Sequence, residues 1–456
     1  MLFAELARSL VAPYGRVGLL VPSGIATDNT TKEFFADLIE NESLIKLYDF
    51  ENKEGVFEDV HRAFKFCTLI FGGSAVQTSV VDFAFFIHNM DELEDSDRHI
   101  TLSKKDIALL NPNTHTCPIF HTRRDCEITK SIYRRVPILI DRSRKEGGNS
   151  WELRFGTMFH QSFDSEKFHN AAQLTKLKFK FAGNHWIKGK EVFLPCYEAK
   201  MFQQYDHRAA GVVVQEENWL RKAQVEPTSL VSHQNPEFVA VPRWWVREEH
   251  VREYLGPDTV AYMAFRKVTS PTNQRTMLAA VLPVVGLIDS GQIVHLPPAM
   301  NLTLWMCLLA NLNSFVLDYV CRQKIANVNL NFFVVEQLPT LPPDAYAETC
   351  PWDKKQSLEK WISDRVLKLT CTANDMIPLA DAAGFKEKVH KWKDTERAEI
   401  RAELDAAYFH LYGINRADAI YILSTFQATG SADDPRSTAA LVMEKYDELA
   451  ECEVPG

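Results

Sequence analysis

Gly15-Arg16-Val17-Gly18-Leu19-Leu20-Val21-Pro22 decides how the front of this chain is read. An apolar helix over 2–11 leads into the run, the run itself is a strand, and a second helix follows around 34–39. Phe64-Lys65-Phe66-Cys67-Thr68-Leu69-Ile70-Phe71 then closes a hairpin. This order is that of the back half of a nucleotide-type α/β domain. Three strands do not make a doubly wound sheet, so the front half is expected to be absent from the chain.

Length and composition set wider bounds. With 456 residues the chain should divide into two or three domains, and 46% hydrophobic with 24% charged residues is close to the globular average. Nine cysteines without a Cys-x-x-Cys pair, and no basic-then-apolar leader, point to a reducing cytoplasm. Residues 296–317 carry no charge, but two prolines, Asn301, Thr303, Asn311, Asn313 and Ser314 argue for a protein core rather than a membrane span.

The net charge of −9 hides an uneven distribution. Residues 98–145 hold eleven Lys or Arg against four Asp or Glu, a local balance of +7 that leaves −16 for the remainder. Arg123-Arg124 and Arg134-Arg135 flank a predicted helix over 125–133, where paired guanidiniums can fork onto phosphate oxygens or a guanine edge. A solvated helix surface is the alternative. In Leu174-Thr175-Lys176-Leu177-Lys178-Phe179-Lys180-Phe181 the alternation predicts a strand with Lys176, Lys178 and Lys180 on one face, spaced to follow phosphates or to protect a sheet edge.

Strand-like runs follow at Trp151-Glu152-Leu153-Arg154-Phe155, Val192-Phe193-Leu194-Pro195, Phe238-Val239-Ala240-Val241-Pro242 and Ala261-Tyr262-Met263-Ala264-Phe265-Arg266. An uncharged helix is expected around 302–320, and helical spacing marks 356–371, 394–412 and 438–450, with Gly413 as a terminator. His115, Cys117, His121 and Cys126 have zinc-ligand chemistry but not the spacing of structural zinc loops. Glu198-Ala199-Lys200 imitates the Glu-x-Lys of metal-dependent nucleases, with Asp164 and Glu166 the nearest upstream acids.

Several segments together resemble a family. Leu2-Phe3-Ala4-Glu5-Leu6-Ala7, the stretch from Gly15 through Ser23-Gly24-Ile25-Ala26-Thr27-Asp28, Asp49-Phe50-Glu51-Asn52 and Phe57-Glu58-Asp59-Val60-His61-Arg62-Ala63-Phe64-Lys65-Phe66 look like the segments that follow the catalytic motif of large adenine-specific DNA methyltransferases. These are the long single-chain enzymes of type II restriction-modification and related phage-defence systems. The likeness continues through Asn111-Pro112-Asn113-Thr114, Phe265-Arg266, Asn273-Gln274-Arg275-Thr276, Leu309-Ala310-Asn311-Leu312-Asn313-Ser314 and Gln337-Leu338-Pro339. It ends with Ala402-Glu403-Leu404-Asp405-Ala406 and Leu411-Tyr412-Gly413-Ile414.

The resemblance implies an α/β plus α+β chain. The C-terminal part of a Rossmann-like methyltransferase sheet would span 1–97, a mixed α/β target-recognition domain 98–343, and a helical C-terminal region 344–456. It further implies that Phe64 and Phe66, otherwise readable as core phenylalanines, line the pocket for an extruded adenine. Arg266, Asn273, Gln274, Arg275 and Lys324 become candidates for reading bases, although each also fits a structural or phosphate-contacting role.

The departure from the family matters as much. Its members hold S-adenosyl-L-methionine on a glycine-rich turn and position adenine with Asn-Pro-Pro-Tyr; here the Asn-Pro pairs are Asn111-Pro112 and Asn235-Pro236, followed by Asn113 and Glu237. The chain alone is therefore expected to hold no cofactor. Methyl transfer would need a polypeptide carrying the N-terminal part of the domain, and double-stranded DNA would be the other partner. A catalytically silent DNA-specificity subunit and an assembly subunit of a defence complex are the rival readings.

Overall fold

Strand-forming Val-Val-Asp-Phe-Ala-Phe-Phe and Ile-Thr-Leu-Ser runs extend the front of the chain beyond the three expected strands. In the computed structural model, which describes residues 1–62, 64–213, 224–325 and 328–452, the order is α1 (Leu2–Leu10), β1 (Arg16–Pro22), α2 (Gly24–Thr27), α3 (Lys32–Glu40), β2 (Leu44–Glu51), β3 (Lys65–Gly72), β4 (Val80–Ile87), β5 (Ile100–Ser103), α4 (Lys104–Leu110) and α5 (Arg123–Arg135). The strands form one mixed sheet in the order β1-β3-β2-β4-β5. β3 runs antiparallel to both of its neighbours, and β2 and β4 are parallel. Phe35, Leu38, Leu44, Leu47, Leu69, Phe71 and Phe83 are buried in its core.

This first unit comprises Met1–Asn149, Gln323–Ala326 and Phe333–Pro339, so it runs past the boundary expected at 97. The reason is hydrogen bonding. β5 pairs with β4, and the later segments are held by Thr129 donating to Gln323, Lys324 donating to the Leu110 carbonyl, and Arg142 paired with Glu336 at 2.7 Å.

The second unit comprises Ser150–Arg322, Asn327–Phe332 and Thr340–Gly456; the boundary expected at 343 does not divide it. Its elements begin with β6 (Arg154–Gly156), α6 (Ala171–Lys176), β7 (Lys180–Ala182), β8 (His185–Lys188) and β9 (Glu191–Tyr197). Next come β10 (Ala210–Val213), β11 (Gln224–Pro227), α7 (Leu230–Gln234), β12 (Trp244–Arg247) and α8 (Glu248–Leu255). One sheet orders β12-β9-β8-β7, with the two-residue strand at Gly286–Leu287 beside β9, and β10 pairs with β11. β13 (Ala261–Arg266), β14 (Ala279–Pro283), Gly286–Leu287 as β15 and β16 (Gly291–His295) follow, and a second sheet orders β14-β13-β16-β6.

Two strand expectations fail. Residues 238–242 are not a strand, and pairing with β9 starts instead at Trp244. The stretch 174–181 is not one strand either. Asn170 caps α6 by accepting from the Gln173 amide while Gln173 accepts in return from the Asn170 amide, so the chain is helical to Lys176, turns at Lys178 (φ 64°) and becomes extended only from Lys180. Leu174 and Leu177 are three apart, a helical spacing that would put them on opposite faces of a strand.

The expected helix around 302–320 is two, α9 (Leu302–Asn313) and α10 (Phe315–Arg322), bent by 52° at Ser314. Ser314 takes an extended backbone at the break (φ −70°, ψ 149°), and the amide of Asn313 beside it both accepts from and donates to the Ala279 backbone at 2.9 Å. Asn311 similarly accepts from the Leu341 amide and donates to Tyr412 Oη. Among the described residues no single helix is long and apolar enough to cross a membrane. The short α11 (Phe332–Val335) precedes a helical C-terminal region of α12 (Leu358–Thr370), α13 (Ile377–Ala382), α14 (Asp394–Leu411), α15 (Arg416–Ser424) and α16 (Thr438–Cys452). Eight of the nine cysteines are buried, and only Cys452 is exposed.

β1 is a terminal strand of its sheet, and Leu20 on it is 62% exposed. α1 buries only Ala4, leaving Leu2, Phe3, Leu6 and Leu10 more than half exposed. One backbone edge of β1 thus lacks a strand neighbour among the described residues. In hydrogen-exchange mass spectrometry, amides in Val17–Val21 should exchange much faster than those in β3. Equal protection of the two strands would show that another segment covers the edge.

Candidate nucleic-acid interface

The parallel pairing of β2 with β4 builds the most chemically varied surface of the first unit. Its register runs Tyr48↔Ala84 and then Phe50↔Ile87, so β4 spends one extra residue there, and Phe86 takes a left-handed backbone (φ 56°). Such a bulge re-aims a side chain at a local cost of about 1–3 kcal/mol. Phe86 stacks on His121 at 3.8 Å, and the Lys65 ammonium lies 4.7 Å from its ring centre.

Beside it the strand β2 ends in two carboxylates of opposite character. Burial pushes Asp49 up to about 6, although the Ser23 hydroxyl donates to it and Lys65 lies nearby. Burial acts on Glu51 in the same direction, but Lys53 at 2.6 Å and Lys65 at 2.9 Å outweigh it and hold that carboxyl at about 2. Asn52 is fully buried and closes the following loop, donating to the carbonyls of Phe57 and Val60.

The two predicted pocket aromatics differ. Phe66 is packed, stacked on Phe50 at 5.1 Å and edge-on to Phe57 at 5.0 Å. Phe64 is 63% exposed and offers its ring to solvent. Of the two, Phe64 has the face available for stacking and Phe66 supports the loop beneath. The cavity beside Asp49, lined by Ser23, Thr27, Lys65 and Phe85, has a volume of about 10 Å³, enough for one water. That cavity does not fit S-adenosyl-L-methionine.

The basic segment is partly neutralised within its own unit. Arg98 pairs with Glu92, Lys104 with Glu40, Lys130 with Glu127 and Asp106, and Arg142 with Glu336. The helix α5 is longer than expected and takes both arginine pairs into its end turns, with Arg123 donating to the Ser96 carbonyl at 3.0 Å. Arg124, Arg134 and Arg135 are exposed on it.

Three of the predicted base readers are committed to the protein interior. Arg266 donates to the Phe202 carbonyl, and burial lowers it to about 10. Arg275 holds Asp318 at 2.8 Å and lies 3.8 Å from the Phe315 ring centre. Lys324 donates to the Leu110 carbonyl and Asn111 Oδ1. Asn273 and Gln274 alone of the five are exposed, on a loop whose two carbonyls accept from Arg322. Lys176, Lys178 and Lys180 are exposed but do not share a strand face.

Neither metal constellation assembles. Cys117 donates to the Pro118 carbonyl, His115 lies by Glu40 and His121 is stacked on Phe86. Glu198 is bonded to Lys200 and lies 3.5 Å from Arg243, while Asp164 binds Lys167 and the His160 amide. Glu54, His88 and Glu92 are the one group close enough to share an ion among the described residues, and there His88 is already 3.3 Å from Glu51.

Neither a protein-family model nor a curated protein matches the sequence. Among solved structures the chain is similar to the type IIL restriction-modification enzyme MmeI in complex with DNA, at 11% identity and a TM-score of 0.41 over 98% of this chain and 51% of that one. It is also similar to the type IIG restriction endonuclease BpuSI, at 12% identity and a TM-score of 0.29 over 98% and 49%. The chain spans about half the length of both.

Asp49 gives a pH prediction. Its folded pKa, about 6, lies above the ordinary 3.8, so the stability conferred by its protonated form is full below about 3.8 and lost as pH rises through 6. Asp49→Asn removes that loss. Relative to the parent, its thermal midpoint should therefore rise between pH 4 and pH 7, by an amount equivalent to about 2–3 kcal/mol. A difference independent of pH would show that Asp49 ionises normally.

Proposed function

We propose that this chain is the DNA-binding, target-recognition part of a site-specific adenine-N6 DNA methyltransferase of a restriction-modification or phage-defence system. The observation that carries the reading is the clustering of two segments that resemble that family. Asp49-Phe50-Glu51-Asn52 and Phe57 to Phe66 come together through the Asn52 bonds and the Phe50–Phe66–Phe57 stack, leaving Phe64 exposed. An adenine turned out of the duplex would stack on Phe64, whose aromatic face is sequence-tolerant by itself. Asn273 and Gln274, exposed on their pinned loop, have the amide chemistry that pairs with adenine edges.

In this reading methyl transfer needs a glycine-rich turn and an Asn-Pro-Pro-Tyr motif that residues 1–456 do not contain and that a further stretch of polypeptide would carry. S-adenosyl-L-methionine, when bound there, supplies the methyl group; this chain supplies the base-stacking ring and DNA contacts. The open edge of β1 and the exposed apolar face of α1 offer that polypeptide a strand to pair with and side chains to cover.

Calorimetry of the purified chain with S-adenosyl-L-methionine should register no binding, and the chain alone should transfer no methyl group to duplex DNA. Both should appear when a partner bearing the glycine-rich turn and Asn-Pro-Pro-Tyr is added, and Phe64→Ala should then lower the transfer rate by tenfold or more. Micromolar cofactor binding by residues 1–456 alone would overturn the reading that the cofactor site lies outside them.

A further inference from the structure

We infer that the module formed by α6, β7 and β8 seats the phosphate backbone of duplex DNA through five lysines, Lys176, Lys178, Lys180, Lys188 and Lys190. The inference rests on the DNA-binding reading above and deepens it, because it replaces a flat strand face by a folded, rigid ridge, with Lys180 and Lys188 on opposite faces of the β7–β8 hairpin, and adds two lysines beyond the alternating run. Residues 168–190 contain these five lysines and no Asp or Glu; Glu191, which follows and stands opposite Lys188 in the strand register, is held by Arg247 at 2.7 Å. All five are exposed, and none forms an ion pair among the described residues; Lys188 donates only to the Leu177 carbonyl, which does not neutralise it.

In a chain of net charge −9, carboxylates are plentiful, and elsewhere the cations use them. Five unpaired ammonium groups on so short a stretch repel one another, a cost relieved by a polyanion. Edge protection does not account for them: β7 is the terminal strand of its sheet, yet only Lys180 lies on it.

The support beneath the charges is stiff. Leu174, Phe179, Trp186, Phe193 and Trp245 form a small core of their own, with Phe179 5.0 Å from Phe193 and Trp186 6.0 Å from Trp245. Trp245 Nε1 donates to the Asn184 carbonyl at 2.8 Å and fixes the hairpin turn. Gly183 (φ 66°) and Gly189 (φ 63°) make the two reversals, a left-handed backbone that side chains other than glycine resist. Lysines on such a scaffold lose less entropy on binding than on a mobile tail.

The test uses the full chain and a fluorescein-labelled duplex of random sequence, with anisotropy titrations over a salt series. The triple variant Lys180→Gln, Lys188→Gln, Lys190→Gln should flatten the plot of log K against log salt by about 0.9 for each phosphate that the protein no longer neutralises. The corresponding Arg triple should keep the parent slope, and the exposed Lys354→Gln, Lys355→Gln pair should leave it unchanged. Independently of any variant, DNA should protect the five lysines from acetylation by an activated acetate ester.

Parent and Gln triple binding DNA with equal slopes, with the five lysines unprotected, would overturn the module and leave the DNA-binding reading intact. No duplex binding by the parent at low salt would overturn both. Binding through these lysines to anionic phospholipid vesicles, with no effect on DNA, would also overturn it and assign the ridge to a lipid surface.

Discussion

Everything on the candidate site of the first unit hangs on the parallel ladder between β2 and β4. Parallel strands place their carboxyl ends side by side, and loops leaving those ends are where α/β sheets collect ligands. Here the ladder sets Asp49-Phe50-Glu51 against Phe86-Ile87-His88, and the single extra residue in β4 turns Phe86 towards His121 and Lys65. Two residues apart on β2, Asp49 and Glu51 still differ, because burial dominates at Asp49 whereas Lys53 and Lys65 pair with Glu51.

The second unit is organised by buried polar groups. Asp318, fully buried, accepts from Arg275 and from the amides of Thr276 and Met277, while Asn311 and Asn313 tie α9 to segments far away in sequence. A buried carboxylate or amide stripped of such partners costs several kcal/mol, so these residues fix one arrangement of loop and helix. The polar residues that make 296–317 unlike a membrane span are the same ones that flank the bend and hold the sheet.

Local signals are legible in the sequence and long-range ones are not. The run Ala261–Arg266 reads as a strand with its observed bounds, because a turn-bounded β-prone run allows little else. The Lys176–Lys180 alternation misleads because it starts only at Lys176, whereas Leu174 and Leu177 have helical spacing and the deciding signal, an Asn-x-x-Gln capping box at Asn170, stands just upstream. For Arg266, Arg275 and Lys324 no such signal exists: what occupies their donors is a carbonyl or carboxylate from 43 to 214 positions away. A guanidinium reads the same in sequence whether it faces a base or the Phe202 carbonyl. Phe64 and Phe66 are indistinguishable for the same reason, since only the Phe50 and Phe57 rings decide which is covered.

The distribution of thiols has a practical consequence. Burial pushes Cys67, Cys126 and Cys371 up to about 12 and raises Cys117, Cys196 and Cys307 well above the usual thiol range, so at neutral pH these sulfurs are neither ionised nor within reach of an electrophile. Cys452, at the end of α16, is the exposed one. A maleimide dye added to the unmodified protein would therefore mark a single position, far in sequence from both the β2–β4 site and the lysine ridge. The native chain carries its own attachment point for a fluorophore or a surface tether, with no cysteine to remove first.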